Sequence, residues 1–222
     1  MIPLVLLEAL QAGESSEAVL TALQQRCQLT ELLNNPSGLE AFLAAGLDPN
    51  STVGGKPLLM VVMAGALPSC HESVQLLTAH GADWGASVPV VLGRWPDLHK
   101  VMVPVAHAML YEPTESVYWP LWAIGHCGLD PALVDPEWGG NLAHHAALGT
   151  FFSSSCYDLE RAGVDLDQVA EGDEAMLAWA KMTGGWMPAY AGKTARQVCG
   201  ERSPGCLERA KAQLGNWVKG AQ

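Results

Sequence analysis

Ala45-Gly46-Leu47-Asp48 returns three more times along the chain, as His80-Gly81-Ala82-Asp83, Cys127-Gly128-Leu129-Asp130 and Ala162-Gly163-Val164-Asp165. Gly46 and Gly81 are 35 residues apart, Gly81 and Gly128 are 47, and Gly128 and Gly163 are again 35. A near-fixed period of this size predicts a stack of repeated units. The phrase itself reads as a helix stop, because glycine enters the left-handed conformation that ends a helix without a side-chain clash. Seven and four residues before each glycine stand Leu39 and Phe42, Val74 and Leu77, Leu121 and Ile124, and Cys156 and Leu159. Apolar residues three apart lie on one helical face, so each pair is expected in the core.

A shorter helix is expected before each of these. Lys56-Pro57-Leu58-Leu59-Met60-Val61-Val62 aligns with Val103-Pro104-Val105-Ala106-His107-Ala108-Met109 and with Asn141-Leu142-Ala143-His144-His145-Ala146-Ala147. Pro57, Pro104 and Pro120 suit helix starts, where the missing N–H has no intrahelical partner.

With both motifs in phase, the chain resembles the bacterial ankyrin-repeat proteins, whose unit reads roughly G-x-T-P-L-H-x-A-A, an apolar helix, then G-A-D. Gly54 through Asp83 matches best, with Lys56 for Thr and Leu59 for His; Gly139 to Ala147 keeps His144 and Ala146-Ala147, and Gly192-Lys193-Thr194-Ala195 resembles the start of a last unit. The resemblance implies an all-α, ankyrin-like helix-turn-helix repeat solenoid with helical caps. The expected divisions are an N-terminal helical cap at 1–37, repeats at 38–198 with an insertion at about 87–101, and a C-terminal capping helix at 199–222. Ser16 is the expected N-cap of a helix running to about Leu33, and the last helix is expected from about Gly205 to Lys219.

Composition constrains the partners. A 222-residue chain that is 49% hydrophobic can bury one continuous core. Its net charge of −11 repels phosphate backbones and anionic bilayers, so neither nucleic acid nor membrane is an expected partner. A basic protein would be attracted. Met1 to Leu10 lacks a basic leader and a cleavage pattern. Six scattered cysteines read as reduced thiols in a cytoplasm, with a Cys199/Cys206 bridge as the oxidised alternative.

No catalytic signature stands out, and no cofactor is expected. There is no G-x-S-x-G, phosphate-binding glycine loop, H-E-x-x-H or paired C-x-x-C. Cys70 and His71 could be nucleophile and base, but neighbours on a helix are expected to point apart. His107, His126 and His145 have no ligand spacing to join His144 in a metal site. His144 falls where the resemblance implies the recurring histidine that hydrogen-bonds between loops.

The loops carry the remaining signal. Asp48, Asp83, Asp130 and Asp165 are expected to bond their own turns. Asp135, Glu137, Asp167, Glu171, Asp173 and Glu174 crowd the later loops near Trp138, with Trp84 and Trp95 one unit earlier. Acids around large aromatic rings suggest a protein interface. The expected partner-binding residues are therefore Trp84, Trp95, Asp135, Glu137, Trp138, Asp167, Glu171 and Asp173. The resemblance further implies a non-catalytic immunity protein that neutralises a cognate effector toxin, such as a cell-wall hydrolase. The alternatives are a regulatory or scaffolding adaptor and, from another class, a hydrolase or metal enzyme; a homodimer is also compatible with the repeats.

Overall fold

The computed structural model describes residues 4–65, 69–94, 97–111, 118–136, 139–148, 154–170 and 192–202. The chain divides into two compact units, Met1–Trp84 and Gly85–Gln222. Among the described residues, no helix is long and apolar enough to cross a membrane.

In unit 1 the helices are α1 (Leu4–Gln11), α2 (Ser16–Gln25), α3 (Leu29–Leu33) and α4 (Pro36–Ala44), followed by strands β1 (Thr52–Val53) and β2 (Lys56–Pro57), then α5 (Leu58–Ala64) and α6 (Cys70–Ala79). The expected single helix from Ser16 to Leu33 is broken between α2 and α3, where Cys27 takes φ +58. Ser15, not Ser16, caps α2, its hydroxyl accepting from the Ala18 N–H at 3.2 Å. Ser16 accepts instead from the Asp48 N–H at 2.8 Å, tying α2 to the first turn phrase. Thr52-Val53-Gly54-Gly55-Lys56-Pro57 closes a two-stranded antiparallel hairpin in which Thr52 faces Pro57 and Val53 faces Lys56. Gly54 and Gly55 both have positive φ, at 59° and 79°, as a type I′ turn demands.

Unit 2 overturns the all-α expectation. Strands β3 (Ser87–Arg94) and β4 (Asp97–Pro104) pair antiparallel from Ser87 opposite Pro104 to Arg94 opposite Asp97. The segment expected as an irregular insertion is thus a hairpin, and the structure is a helical protein with two small antiparallel sheets rather than an all-α solenoid. Val88, Val90, Val91, Val101 and Val103 supply the physical reason, since β-branched side chains suit a pleated strand better than a loop. Helices α7 (Val105–Ala108), α8 (Tyr118–His126), α9 (Leu142–Leu148), α10 (Ser154–Arg161) and α11 (Ala195–Arg202) complete the described elements. Helix α11 runs across the expected boundary at 198/199; the proposed final helix, Gly205–Lys219, lies outside the described residues.

The helix stops form as expected. Gly46, Gly81, Gly128 and Gly163 all have positive φ, between 69° and 107°. After three of them the chain closes five residues back: the Leu47 N–H donates to the Phe42 carbonyl, Ala82 to Leu77 and Val164 to Leu159. This is the Schellman pattern. The third copy differs, for the Leu129 N–H reaches six residues back to Ala123 at 3.2 Å. The buried stripe slips with it. Leu39, Phe42, Val74, Leu77, Cys156 and Leu159 are buried as expected, but Leu121 and Ile124 are only half-buried, while Trp119, Pro120 and Ala123 occupy the core side of α8. Cys27, Cys70 and Cys127 are reduced thiols, whereas Cys156 is disulfide-bonded, which corrects the expectation of reduced cysteines throughout.

Candidate functional site

Turn acids are exposed on each unit, Asp48 and Asp83 on unit 1 and Asp130 and Asp165 on unit 2. Asp48 Oδ1 accepts from the Asn50 N–H at 2.9 Å, Asp130 Oδ1 from Ala132 at 2.8 Å and Asp165 Oδ1 from Asp167 at 2.8 Å. Each carboxylate folds its own turn and stays exposed, as does Asp83. Side chains also staple successive turns. Asn50 donates through Nδ2 to the Gly81 carbonyl at 3.0 Å and accepts the Asp83 N–H on Oδ1 at 2.8 Å. Within unit 2, Asn141 Nδ2 donates to the Asp165 carbonyl at 2.6 Å and to Gln168 Oε1 at 3.0 Å.

Of the expected interface residues, Trp84, Asp135 and Asp167 lie among the described residues. Trp84 is buried, its indole N–H donating to Thr78 Oγ1 at 3.2 Å, so its ring serves packing. Asp135 is fully buried in the interior of unit 2. Asp167 is exposed and engaged by Arg196, which donates Nε to Oδ1 at 2.8 Å and Nη2 to Oδ2 at 3.0 Å, while Nη2 also reaches Glu160 Oε1 at 2.9 Å. Those two carboxylates, Asp167 first, raise the Arg196 pKa further. Trp95, Glu137, Trp138, Glu171 and Asp173 lie outside the described residues.

Asp135 instead belongs to a cluster that the sequence did not reveal. His145 Nε2 stands 3.4 Å from Asp135 Oδ2, and His145 Nδ1 stands 2.8 Å from the Tyr111 hydroxyl. With the proton of a neutral ring on Nε2, facing the carboxylate, Nδ1 accepts from Tyr111 O–H. The His107 ring meets that of His145 edge-on, with centroids 4.5 Å apart. His107, His145 and Asp135 are all at 0% exposure; Tyr111 is half-buried. The loop that delivers Asp135 is held by its own N–H donating to the Gly140 carbonyl at 2.8 Å, and by the Gly139 N–H donating back to the Asp135 carbonyl at 2.7 Å.

His144 lies beside this cluster on the same helix. Asn141 caps α9, its Oδ1 accepting from Ala143 at 3.1 Å and His144 at 3.3 Å. His144 Nδ1 is 3.2 Å from the Asn141 nitrogen and 2.9 Å from Asn141 Oδ1, and Nε2 is 3.1 Å from the Lys193 carbonyl; with the proton of the neutral ring on Nε2, the ring donates to Lys193 and accepts the Asn141 N–H. Bonding between loops is thus its observed work. Burial pushes its pKa down to about 4, the Lys193 carbonyl opposing and His145 reinforcing the shift. His107 is also held well below its ordinary value, by burial first and then by His145; the nearby Gly140 carbonyl opposes this. Both His107 ring nitrogens nevertheless lack a well-formed hydrogen bond among the described residues.

This arrangement can hold and pass protons between phenol, imidazole and carboxylate, but its imidazoles and carboxylate are sealed from solvent. Among the described residues, no group of three or more His, Cys, Asp or Glu is disposed to hold a metal ion. Cys70 and His71, expected to point apart, do meet, with Sγ 3.7 Å from Nδ1. Cys70 is buried, so the contact is a weak internal S–H···N bond. The signal for the cluster was present in the aligned segments, where His107 and His145 fall in the same column. Comparison with protein-family models, curated proteins and solved structures finds no match to this chain.

Proposed function

We propose that this chain is a non-catalytic protein-binding module that engages a basic partner through its acidic turns. The supporting observation is that Asp48, Asp130 and Asp165 are fixed by their own turn hydrogen bonds yet exposed. Carboxylates held this way lose little freedom when a cationic surface approaches, and their field speeds encounter. The family resemblance gives the specific form: an immunity protein that neutralises a cognate effector toxin, such as a cell-wall hydrolase. An adaptor for an ordinary cellular protein would use the same acids. Immunity is tested by producing the chain with a secreted toxin encoded beside it: rescue supports immunity, and absence of rescue favours the adaptor.

Binding kinetics with that toxin test the surface. Asp48→Asn, Asp130→Asn and Asp165→Asn together remove three charges while keeping a side-chain oxygen for each turn. Association should slow about tenfold at low salt and lose most of its salt dependence, with little change in dissociation. Unchanged association would reject the acidic turns as the interface. The cytoplasm proposed from the scattered cysteines fits the free thiols of Cys27, Cys70 and Cys127 but not the bridged Cys156. Light scattering across a concentration series tests the proposed homodimer, which a constant monomer mass would remove.

A further inference from the structure

His107 and His145 occupy the same column of two aligned helical segments, and their rings meet in the interior of unit 2. The corresponding residue in unit 1 is Met60, also buried. Methionine has no charge to gain, whereas imidazole gains one in the mildly acidic range. Three imidazoles, His107, His144 and His145, lie close together, and the Asp135 carboxylate stands 3.4 Å from His145.

Each added proton removes something the fold uses. On His144 it would displace the Asn141 N–H from Nδ1 and turn that nitrogen toward Asn141 Oδ1, 2.9 Å away, while Nε2 is already committed to Lys193. A protonated His107 would be a cation at 0% exposure, edge-on to a second imidazole. Helix α9 packs on α10, which carries Asp158, Glu160 and Arg161, and on α11, whose Arg196 is held by Glu160 and Asp167. Helix α9 brings His144 and His145, the 135–140 loop brings the Gly140 carbonyl, and Tyr111 bonds His145. Among the described side chains, β3 and β4 contribute buried Val88 and Val103, and α8 contributes buried Trp119 and Ala123. A buried, unpaired cation is more costly than local opening that lets water reach it.

We propose that the buried cluster of His107, His145, Asp135 and Tyr111, joined through Asn141 to His144, is an acid-sensitive latch whose proton uptake opens residues 105–111, 139–148 and 192–198 while unit 1 stays folded. The opened segments include Asp135's partner His145 and the Asn141 staple, so acid would release the 135–140 loop and the turn at Asp165. If that face carries a partner, as the proposed function holds, acidification also releases the partner. The latch itself does not depend on that reading.

Native-state hydrogen exchange of the full chain without a partner, corrected for intrinsic rates and followed from about pH 7 to about pH 5, tests the latch. Protection in 105–111, 139–148 and 192–198 should fall with a slope that steepens from about half a proton per opening near pH 7 to nearly two near pH 5, while 16–44 and 70–79 stay nearly flat. His107→Met, which installs the unit 1 residue, should reduce the slope near pH 5 to about one. Equal slopes in the two units, or a His107→Met slope still near two, would overturn the proposal. Should that variant fail to fold at neutral pH, the wild-type contrast between the units decides alone. Near pH 5, a slope in unit 2 greater by about one proton or more supports the latch, and any smaller difference refutes it.

Discussion

Two helices of this chain begin alike and differ in what they bury. At α5, Pro57 has φ −54 and ψ 146, and the Leu58 N–H donates to the Ser51 carbonyl at 2.9 Å. At α7, Pro104 has φ −55 and ψ 148, and the Val105 N–H donates to the Ala86 carbonyl at 3.0 Å. The backbone solution is the same, but the first helix buries Met60 and the second His107. Local geometry therefore does not set the response to solvent. A methionine core depends on packing alone, whereas a histidine core depends on packing and on every ring staying neutral.

The largest difference between regions should appear in core truncation. Leu77 is fully buried at the helix stop of α6, and Leu77→Ala should cost about 2–5 kcal/mol by chemical denaturation. Ile124 holds the same place relative to Gly128 but is half-buried after the one-residue slip, so Ile124→Ala should cost only about 1 kcal/mol. Equal costs would mean that the slip at α8 does not exist.

Acid should produce the next largest contrast. His144 has a folded pKa of about 4 against an ordinary 6.5, so between those values the unfolded chain binds more protons. Stability of unit 2 must then fall as pH drops from about 6.5 toward 4, by a total on the order of 3 kcal/mol for this ring, and be fully present above that window. Denaturation midpoints at several pH values check the direction. Stability that rises on acidification through this range would break the comparison.

The smallest effect belongs to the surface of unit 2. Arg196 grips Asp167 and Glu160 with good geometry, but Asp167 is 67% exposed. Arg196→Gln should cost less than about 1 kcal/mol, and less again in high salt. A loss of several kcal/mol would place that ion pair among the principal supports of α11.

The sequence made the turns legible and left the interior of unit 2 obscure. Glycine followed by a small apolar residue and Asp has one cheap backbone solution, so the four stops and the Asp48, Asp130 and Asp165 turns could be read directly. The β3–β4 hairpin was missed because Pro89, Gly93 and Pro96 suggested a loop, although the flanking valines favoured strands. The slip at Gly128 depends on which carbonyl one amide selects, which side-chain spacing does not encode. The histidine cluster was hidden for a different reason: His107, Asp135 and His145 have no metal-like spacing, and only folding brings them into contact. Of the expected interface, Trp84 and Asp135 illustrate the same limit, since tryptophan and aspartate near turns are read as exposed until packing or a histidine partner takes them inside.

Nitrogen-detected NMR of the imidazole rings tests the central claim, that unit 2 keeps neutral histidines in its interior. At about pH 6, His107 and His144 should both show the pattern of neutral rings, with His144 protonated on Nε2 and its Nδ1 an acceptor. Both should resist protonation until well below the ordinary histidine value of about 6.5. Rings of His107 and His144 that titrate near 6.5 while the amide spectrum remains that of the folded chain would contradict it.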